Sequence, residues 1–262
     1  MHWLLEQPLL ISFLVICMLT VCISLAGLFY VRNRFPHEKL KDNHDTASVI
    51  FNAYGLLYAV VVAFVVFITW SSYDKATMEV EMEANALMNL FYLTDAYPDS
   101  IKKDLQAKIL DYTKEVTDNE WNMNAEGEVS TAAAEKVKDL WNRILSVNTG
   151  GIKIEENISS AALETMKSVT ESRRLRSFAV KQTVPSIVWA VLLLGGILFI
   201  GCTYFFSMKN AAPQYLITAC FTILITLVLY LIYVLDHAFT GTSAINNEPL
   251  KFIINVMKQQ IN

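Results

Sequence analysis

The chain has 262 residues, 54% of them apolar and only 18% charged, and its mean hydropathy is positive, a balance that excludes an ordinary soluble domain and makes a bilayer part of the solvent. Acidic residues outnumber basic ones, 25 to 21, so there is no electrostatic footprint for nucleic acid. The 9 glycines and 6 prolines are scattered and mark no linker or repeat.

A hydrocarbon layer of about 30 Å takes on the order of 20 helical residues to cross. Four runs are long enough: 8–31, 48–70, 185–207 and 214–235. No Lys or Arg precedes the first and Arg32 and Arg34 follow it, so it reads as a retained helix, not a cleaved leader. Tyr30, Trp70, Trp189, Tyr204, Tyr215 and Tyr233 stand near the ends of these runs, as an aromatic belt requires.

After the second run the sequence turns polar while keeping a helical period. Ala76, Val80, Ala84, Leu87, Met88 and Phe91 recur at steps of three and four, which predicts that the second span continues as one amphipathic helix to about Asp95, without a break between Ile68 and Glu83. Pro98 ends it and opens a helix over 99–118. A third helix is predicted over 130–146 and a fourth from a cap at Ser159 or Ser160 to Lys181, with a break at Asn148-Thr149-Gly150-Gly151. Ile158, Ala162, Met166 and Val169 give the fourth an apolar stripe to set against the extension of span two.

The expected fold is an all-α membrane protein with four transmembrane helices and an extramembrane helical bundle inserted between the second and third. Residues 1–70 hold the first two spans, 71–183 the bundle, 184–236 the last two spans and 237–262 an interfacial C-terminal segment. Arg32, Arg34, Lys39 and Lys41 in the short first loop place it in the cytoplasm and the bundle on the other side; Arg173, Arg174, Arg176 and Lys181 before span three pull the opposite way, but long loops translocate largely regardless of charge.

Three patterns together resemble the bestrophin-like DUF4239 family of membrane proteins. The first is Gly55-Leu56-Leu57-Tyr58-Ala59 through Val66, with Trp70, Tyr73, Ala76 and Glu83-Ala84 following. The second is Arg173-Arg174-Leu175-Arg176 with Pro185, Trp189 and Leu192, and the third is Leu235-Asp236-His237-Ala238-Phe239-Thr240-Gly241 with Glu248-Pro249. Ala238 stands where family members usually carry proline, which weakens a rigid turn there. Bestrophins, to which the family is distantly linked, are pentameric anion channels. The resemblance therefore implies a homo-oligomer, with a pentamer as the stoichiometry to test, that meets membrane lipid and inorganic ions.

The candidate residues are placed accordingly. Gly55, Ala59 and Ala63, at four-residue steps, form a small-residue stripe for close helix packing, either within one subunit or around a pore. Asn52 at one end of span two and Phe64, Phe67 and Trp70 toward the other are pore-lining candidates, with Phe64 and Phe67 expected on one face and the small-residue stripe on another. No span carries a mid-membrane Asp, Glu, Lys or Arg, which removes the coupled-ion site of a pump. Glu79 or Glu83 is expected to meet Arg173, Arg174 or Arg176 as a buried clamp, the alternative being a charged vestibule. Asp236, Phe239 and Gly241 mark a C-terminal turn that either holds the C-terminal segment or simply stops the helix.

The four cysteines lie in apolar runs, and His2, His37, His44 and His237 have no paired ligand spacing, so no metal site is expected. No phosphate loop, nucleophile elbow or HExxH occurs, and the chain is not expected to be an enzyme or to hold a cofactor. The expected activity is a homo-oligomeric channel in the cell membrane, the inner one if the source is bacterial, with span two on the axis. The competing class is a non-conducting sensor or scaffold whose bundle binds a partner.

Overall fold

A computed structural model describes residues 8–35, 44–149, 156–206, 208 and 210–261. These residues form helices and turns: α1 (Leu9–Arg34), α2 (His44–Leu93), α3 (Asp99–Glu115), α4 (Trp121–Ala125), α5 (Thr131–Thr149), α6 (Glu156–Lys181), α7 (Ser186–Thr203), α8 (Ala211–Asp236) and α9 (Glu248–Ile261). Four of them, α1, α2, α7 and α8, are long and apolar enough to cross a membrane. The chain divides into two compact units, one of Met1–Ser71 and Thr183–Asp236, the other of Ser72–Gln182 and His237–Asn262.

In the first unit, α1 lies along α8 through a ladder of polar side chains. Gln214, Thr218, Thr222 and Thr226, one turn apart, are all buried. Thr222 Oγ1 donates to Ser24 Oγ at 2.9 Å, the Thr20 and Thr226 hydroxyls meet at 3.0 Å, and Arg32 Nη1 donates to Gln214 Oε1 at 2.6 Å. Acyl chains are as apolar as leucine, so such polar pairs, and not hydrophobic drive, fix which helices meet.

The α2 face that meets α7 carries tyrosines laid on bare backbone. Tyr54 Oη donates to the Gly195 carbonyl and Tyr58 Oη to that of Leu192, both at 2.9 Å. A Cβ added at Gly195 would stand 2.6 Å from Tyr58 Cε2, so the ring lies where any side chain would be. Val65, Leu192 and Ile232 then close a small core between α2, α7 and α8. The Asp236 carboxylate, at the end of α8, accepts from the Val184 backbone N–H at 2.6 Å and from Trp189 Nε1 at 3.4 Å, tying that end to the start of α7.

The second unit is a helical bundle. Along α2, Ala76, Val80, Ala84, Leu87 and Phe91 are buried, with Met88 at the margin. They share a core with Leu105 and Ile109 of α3, Leu140 and Ile144 of α5, Ala162, Met166 and Val169 of α6, and Leu250 and Met257 of α9. Each large apolar side chain so buried contributes about 1.5–3 kcal/mol. α2 is helical without interruption from His44 to Leu93, roughly 75 Å at 1.5 Å per residue.

Several boundaries differ from the sequence reading. α3 does not stop near residue 118: a π-helical stretch, Val116–Glu120, carries it into α4 as far as Ala125. α5 begins as expected behind Ser130, whose Oγ accepts from the Ala133 N–H at 3.2 Å, but runs to Thr149. Ser159 and Ser160 are not caps, because α6 is already helical from Glu156. α7 is shorter than its run, since helical geometry ends at Thr203 ahead of Pro213. Residues 248–261 form an amphipathic helix in the core of the second unit. The break at Gly150-Gly151, the basic residues Lys39 and Lys41, and His2 and His37 lie outside the described residues.

Candidate functional site

Between Ser48 and Ser71, α2 carries no Asp, Glu, Lys or Arg. Asn52, Ala59, Ala63, Phe64, Phe67 and Trp70 are all exposed in the single chain, and Gly55 is half-buried with Phe199 Cε2 2.9 Å from where its Cβ would stand. Sequence reasoning set Phe67 with Phe64 and apart from the small-residue stripe. Instead Gly55, Ala59, Ala63, Phe67 and Trp70 line one apolar groove of about 610 Å³ against Phe199 of α7 and the Phe221–Leu229 stretch of α8. The reason is helical: position 67 is the next four-residue step after 63, whereas Phe64 is rotated about 100° from Ala63. Phe64 thus sits on the open side with Leu57, Val60 and Ile68, all exposed. Asn52 lines a second, smaller pocket of about 210 Å³ with Thr203, Gln214 and Thr218.

The second unit holds a buried network of four charges. Arg176 and Glu83 have no exposed side-chain surface, and Arg176 Nε donates to Glu83 Oε2 at 2.7 Å while Nη2 reaches Oε1 at 3.4 Å. Tyr112 Oη donates to Glu83 Oε1 at 2.6 Å. Glu120, also fully buried, accepts from Arg173 Nη2 at 3.2 Å, and its other oxygen lies 3.6 Å from Arg176 Nη2 without a hydrogen bond. The guanidinium of Arg176 stands over the Trp121 ring at 5.7 Å, and with its amide turned to face it Asn124 accepts from Nη1 at 2.8 Å. Two carboxylates and two guanidiniums balance, which is how the charges are tolerated inside a core.

The electrostatics follow from burial. Desolvation alone would lower the Arg176 pKa, but the Glu83 carboxylate outweighs it and holds the group above its ordinary value. Burial and the Glu83 charge push the Tyr112 phenol up, so it stays protonated and donates. Glu120 is raised, chiefly by burial, against the opposing pull of Arg176 and Arg173.

Of the charged candidates, the structure brings together Glu83, Arg176 and Arg173, and leaves Arg174 exposed. Glu79 is half-buried, forms no ion pair among the described residues and has one oxygen without a hydrogen bond. The i, i+3 step from Arg173 to Arg176 points both inward, while Arg174 is turned about 100° away. Sequence reasoning missed Glu120, Trp121 and Asn124, because the π turn rotates them onto the inner face. It also missed the Gln214–Thr226 ladder, whose four-residue repeat was visible.

In the C-terminal turn, Phe239 is buried and packs edge-on to Trp121 at 5.9 Å between centroids. Gly241 has φ +85°, a conformation that favours glycine. Thr240 Oγ1 donates to the Ala125 carbonyl at 2.9 Å and Asn247 Nδ2 to that of Thr117 at 3.2 Å, so the turn is moored to the π stretch and α4. Among the described residues no group of His, Cys, Asp and Glu is arranged to hold a metal ion.

Uninterrupted apolar helices and a helical bundle with an ion-paired core define an all-α membrane protein. Residues 18–250 match the family described as Bestrophin-like domain, and the chain belongs to that family. Its fold is shared with a bacterial bestrophin homolog from Klebsiella pneumoniae: a tryptophan-to-alanine variant of that homolog aligns with a TM-score of 0.71 at 12% identity over 98% of this chain and 97% of that one. The structure of the homolog phased by Zn-SAD gives 0.69 at 12% over 95% and 96%. A crystal structure of a membrane protein carrying a proline-to-alanine substitution gives 0.69 at 11% over 95% and 97%. Among curated proteins, none matches the chain by sequence.

Proposed function

We propose that the chain forms a homo-oligomeric ion channel in the cell membrane, crossing it four times, with α2 around the axis and the helical bundle outside the bilayer as a vestibule. The observation that carries this reading is the open face of α2, where Leu57, Val60, Phe64 and Ile68 are exposed in a charge-free stretch. Repeated by symmetry, such a face makes a hydrophobic neck whose wetting controls conduction. Phe64 is its bulkiest side chain and the residue for which constriction is proposed; Phe67 and Trp70, which line the groove, and Asn52, which lines the smaller pocket, are not assigned to the neck. Anion selectivity is carried over from the family resemblance.

The test is current through purified protein in planar bilayers. Wild type conducts, Phe64→Ala raises the current or its open fraction with the oligomer intact, and reversal potentials in asymmetric chloride identify the permeant ion. Folded, inserted protein that stays silent across voltage, pH and calcium, together with an oligomer in which α2 surrounds no axis, overturns the reading.

A further inference from the structure

We propose that the groove between α2, α7 and α8 is a binding site for one anionic phospholipid, with an acyl chain against Ala59 and Ala63 and its headgroup at the end where Arg32 and Gln214 meet. The first observation is the shape and chemistry of the space. The groove is walled by apolar side chains of three candidate spans, so at membrane depth its natural filling is hydrocarbon, since apolar cavities of this kind do not hold water.

The second observation is polarity confined to one end. The smaller pocket, which shares Phe221 with the groove, sets Asn52, Thr203, Gln214 and Thr218 beside apolar side chains such as Phe51 and Ile217, whereas the groove's lining is apolar apart from Tyr58 and Trp70. Thr203 ends α7 and Gln214 stands in the first turn of α8, while Asn52 and Thr218 lie about two turns into α2 and α8. The third is charge. Arg32, at the last turn of α1, donates to the Met208 carbonyl at 3.2 Å and to Gln214 Oε1 at 2.6 Å, and both of those residues also line the pocket.

Among the described residues Arg32 meets neutral partners and forms no ion pair, so its positive charge is available at this end of the groove. A lipid phosphate supplies the missing anion, and basic pockets between helices at the membrane edge recognise headgroups in this way. The apolar stretches 9–31, 48–71, 186–203 and 211–235 carry no Asp or Glu to set against Arg32, so the occupant assigned to the groove is a lipid and not a span of a second copy. The proposal does not depend on conduction.

The full chain, stripped of lipid in detergent, is titrated with phosphatidylglycerol or phosphatidylcholine and read by native mass spectrometry. The expected result is one phosphatidylglycerol held per chain in preference to phosphatidylcholine. Arg32→Gln brings the two lipids to parity and Arg32→Lys restores part of the preference. Ala63→Phe, which fills the groove, lowers retention of both by about tenfold or more. Leu14→Ala, at an exposed position of α1 that lines neither pocket, retains lipid as wild type does and controls for general disruption. Equal retention by wild type, Arg32→Gln and Ala63→Phe overturns the proposal, and so does a disulfide between two copies carrying Ala63→Cys, which places protein in the groove. If Ala63→Phe does not fold, the Arg32 pair of variants decides alone.

Discussion

Arg176 and Glu83 face each other across the core of the bundle at 2.7 Å, both without exposed side-chain surface, although 93 positions separate them in the chain. Their pairing joins α6 to α2 through a contact that each helix needs. Removing one partner leaves the other charged and dry. Arg176→Gln is expected to lower unfolding stability by about 3–5 kcal/mol, whereas Arg174→Gln, at an exposed position, is expected to change it by less than about 0.5 kcal/mol. Chemical denaturation followed by tryptophan fluorescence distinguishes the two; equal effects would mean that the network is open to solvent.

Glu120 gives a pH signature of its own. Its pKa in the fold is raised by burial, so the folded state binds this proton more tightly than the unfolded chain does. Its contribution to stability therefore increases as pH falls from neutral through the raised folded value, and levels off below the ordinary carboxylate range. Glu120→Gln should remove that component, so the stability difference between wild type and variant should vary with pH over this window and be flat above it. A difference that does not vary with pH would show that Glu120 titrates normally.

At Gly195 the sequence tolerates nothing larger. An added Cβ would lie 2.6 Å from Tyr58, whose hydroxyl is held by the Leu192 carbonyl. Gly195→Ala should cost about 1–3 kcal/mol through overpacking, while Gly201→Ala, with open space around it, should cost little. Melting temperatures in detergent measure both.

Topology is open to labelling from outside. Cysteines at Asn43 and at Glu126, the latter exposed on the bundle, are probed with an impermeant thiol reagent in intact cells. Labelling at Glu126 alone is expected if the first loop is cytoplasmic; labelling at Asn43 alone reverses the assignment. Asn124 is unsuitable as a probe because it is buried.

The spans and the continuity of α2 were legible because they depend on runs and periods that any helix of this composition must show. The stripe from Ala76 to Phe91 went to the core for the same reason. What stayed hidden depended on pairing between distant residues. Arg173, Arg174 and Arg176 are chemically alike, and only the angular position on α6 separates the two that enter the core from the one that does not. Phe64 and Phe67 differ in the same way, since only position 67 continues the four-residue step of Gly55, Ala59 and Ala63. Glu120 lay beyond a change of helical pitch that no propensity announces.

That change of pitch makes the charge network depend on how a single turn is wound. The backbone hydrogen bonds of Val116–Glu120 each span one residue more than those of the α-helices on either side. Winding all five residues as an ordinary α-helix instead would swing every later side chain of that helix by roughly 90°. Trp121 would leave the face of Arg176, Asn124 would lose its guanidinium contact, and the carbonyls of Thr117 and Ala125 would no longer present themselves together to the C-terminal turn. A one-residue deletion at Thr117, Asp118 or Asn119 is therefore a milder lesion here than elsewhere in the helix: four α residues turn about as far as the five π residues did, and the network keeps its common direction.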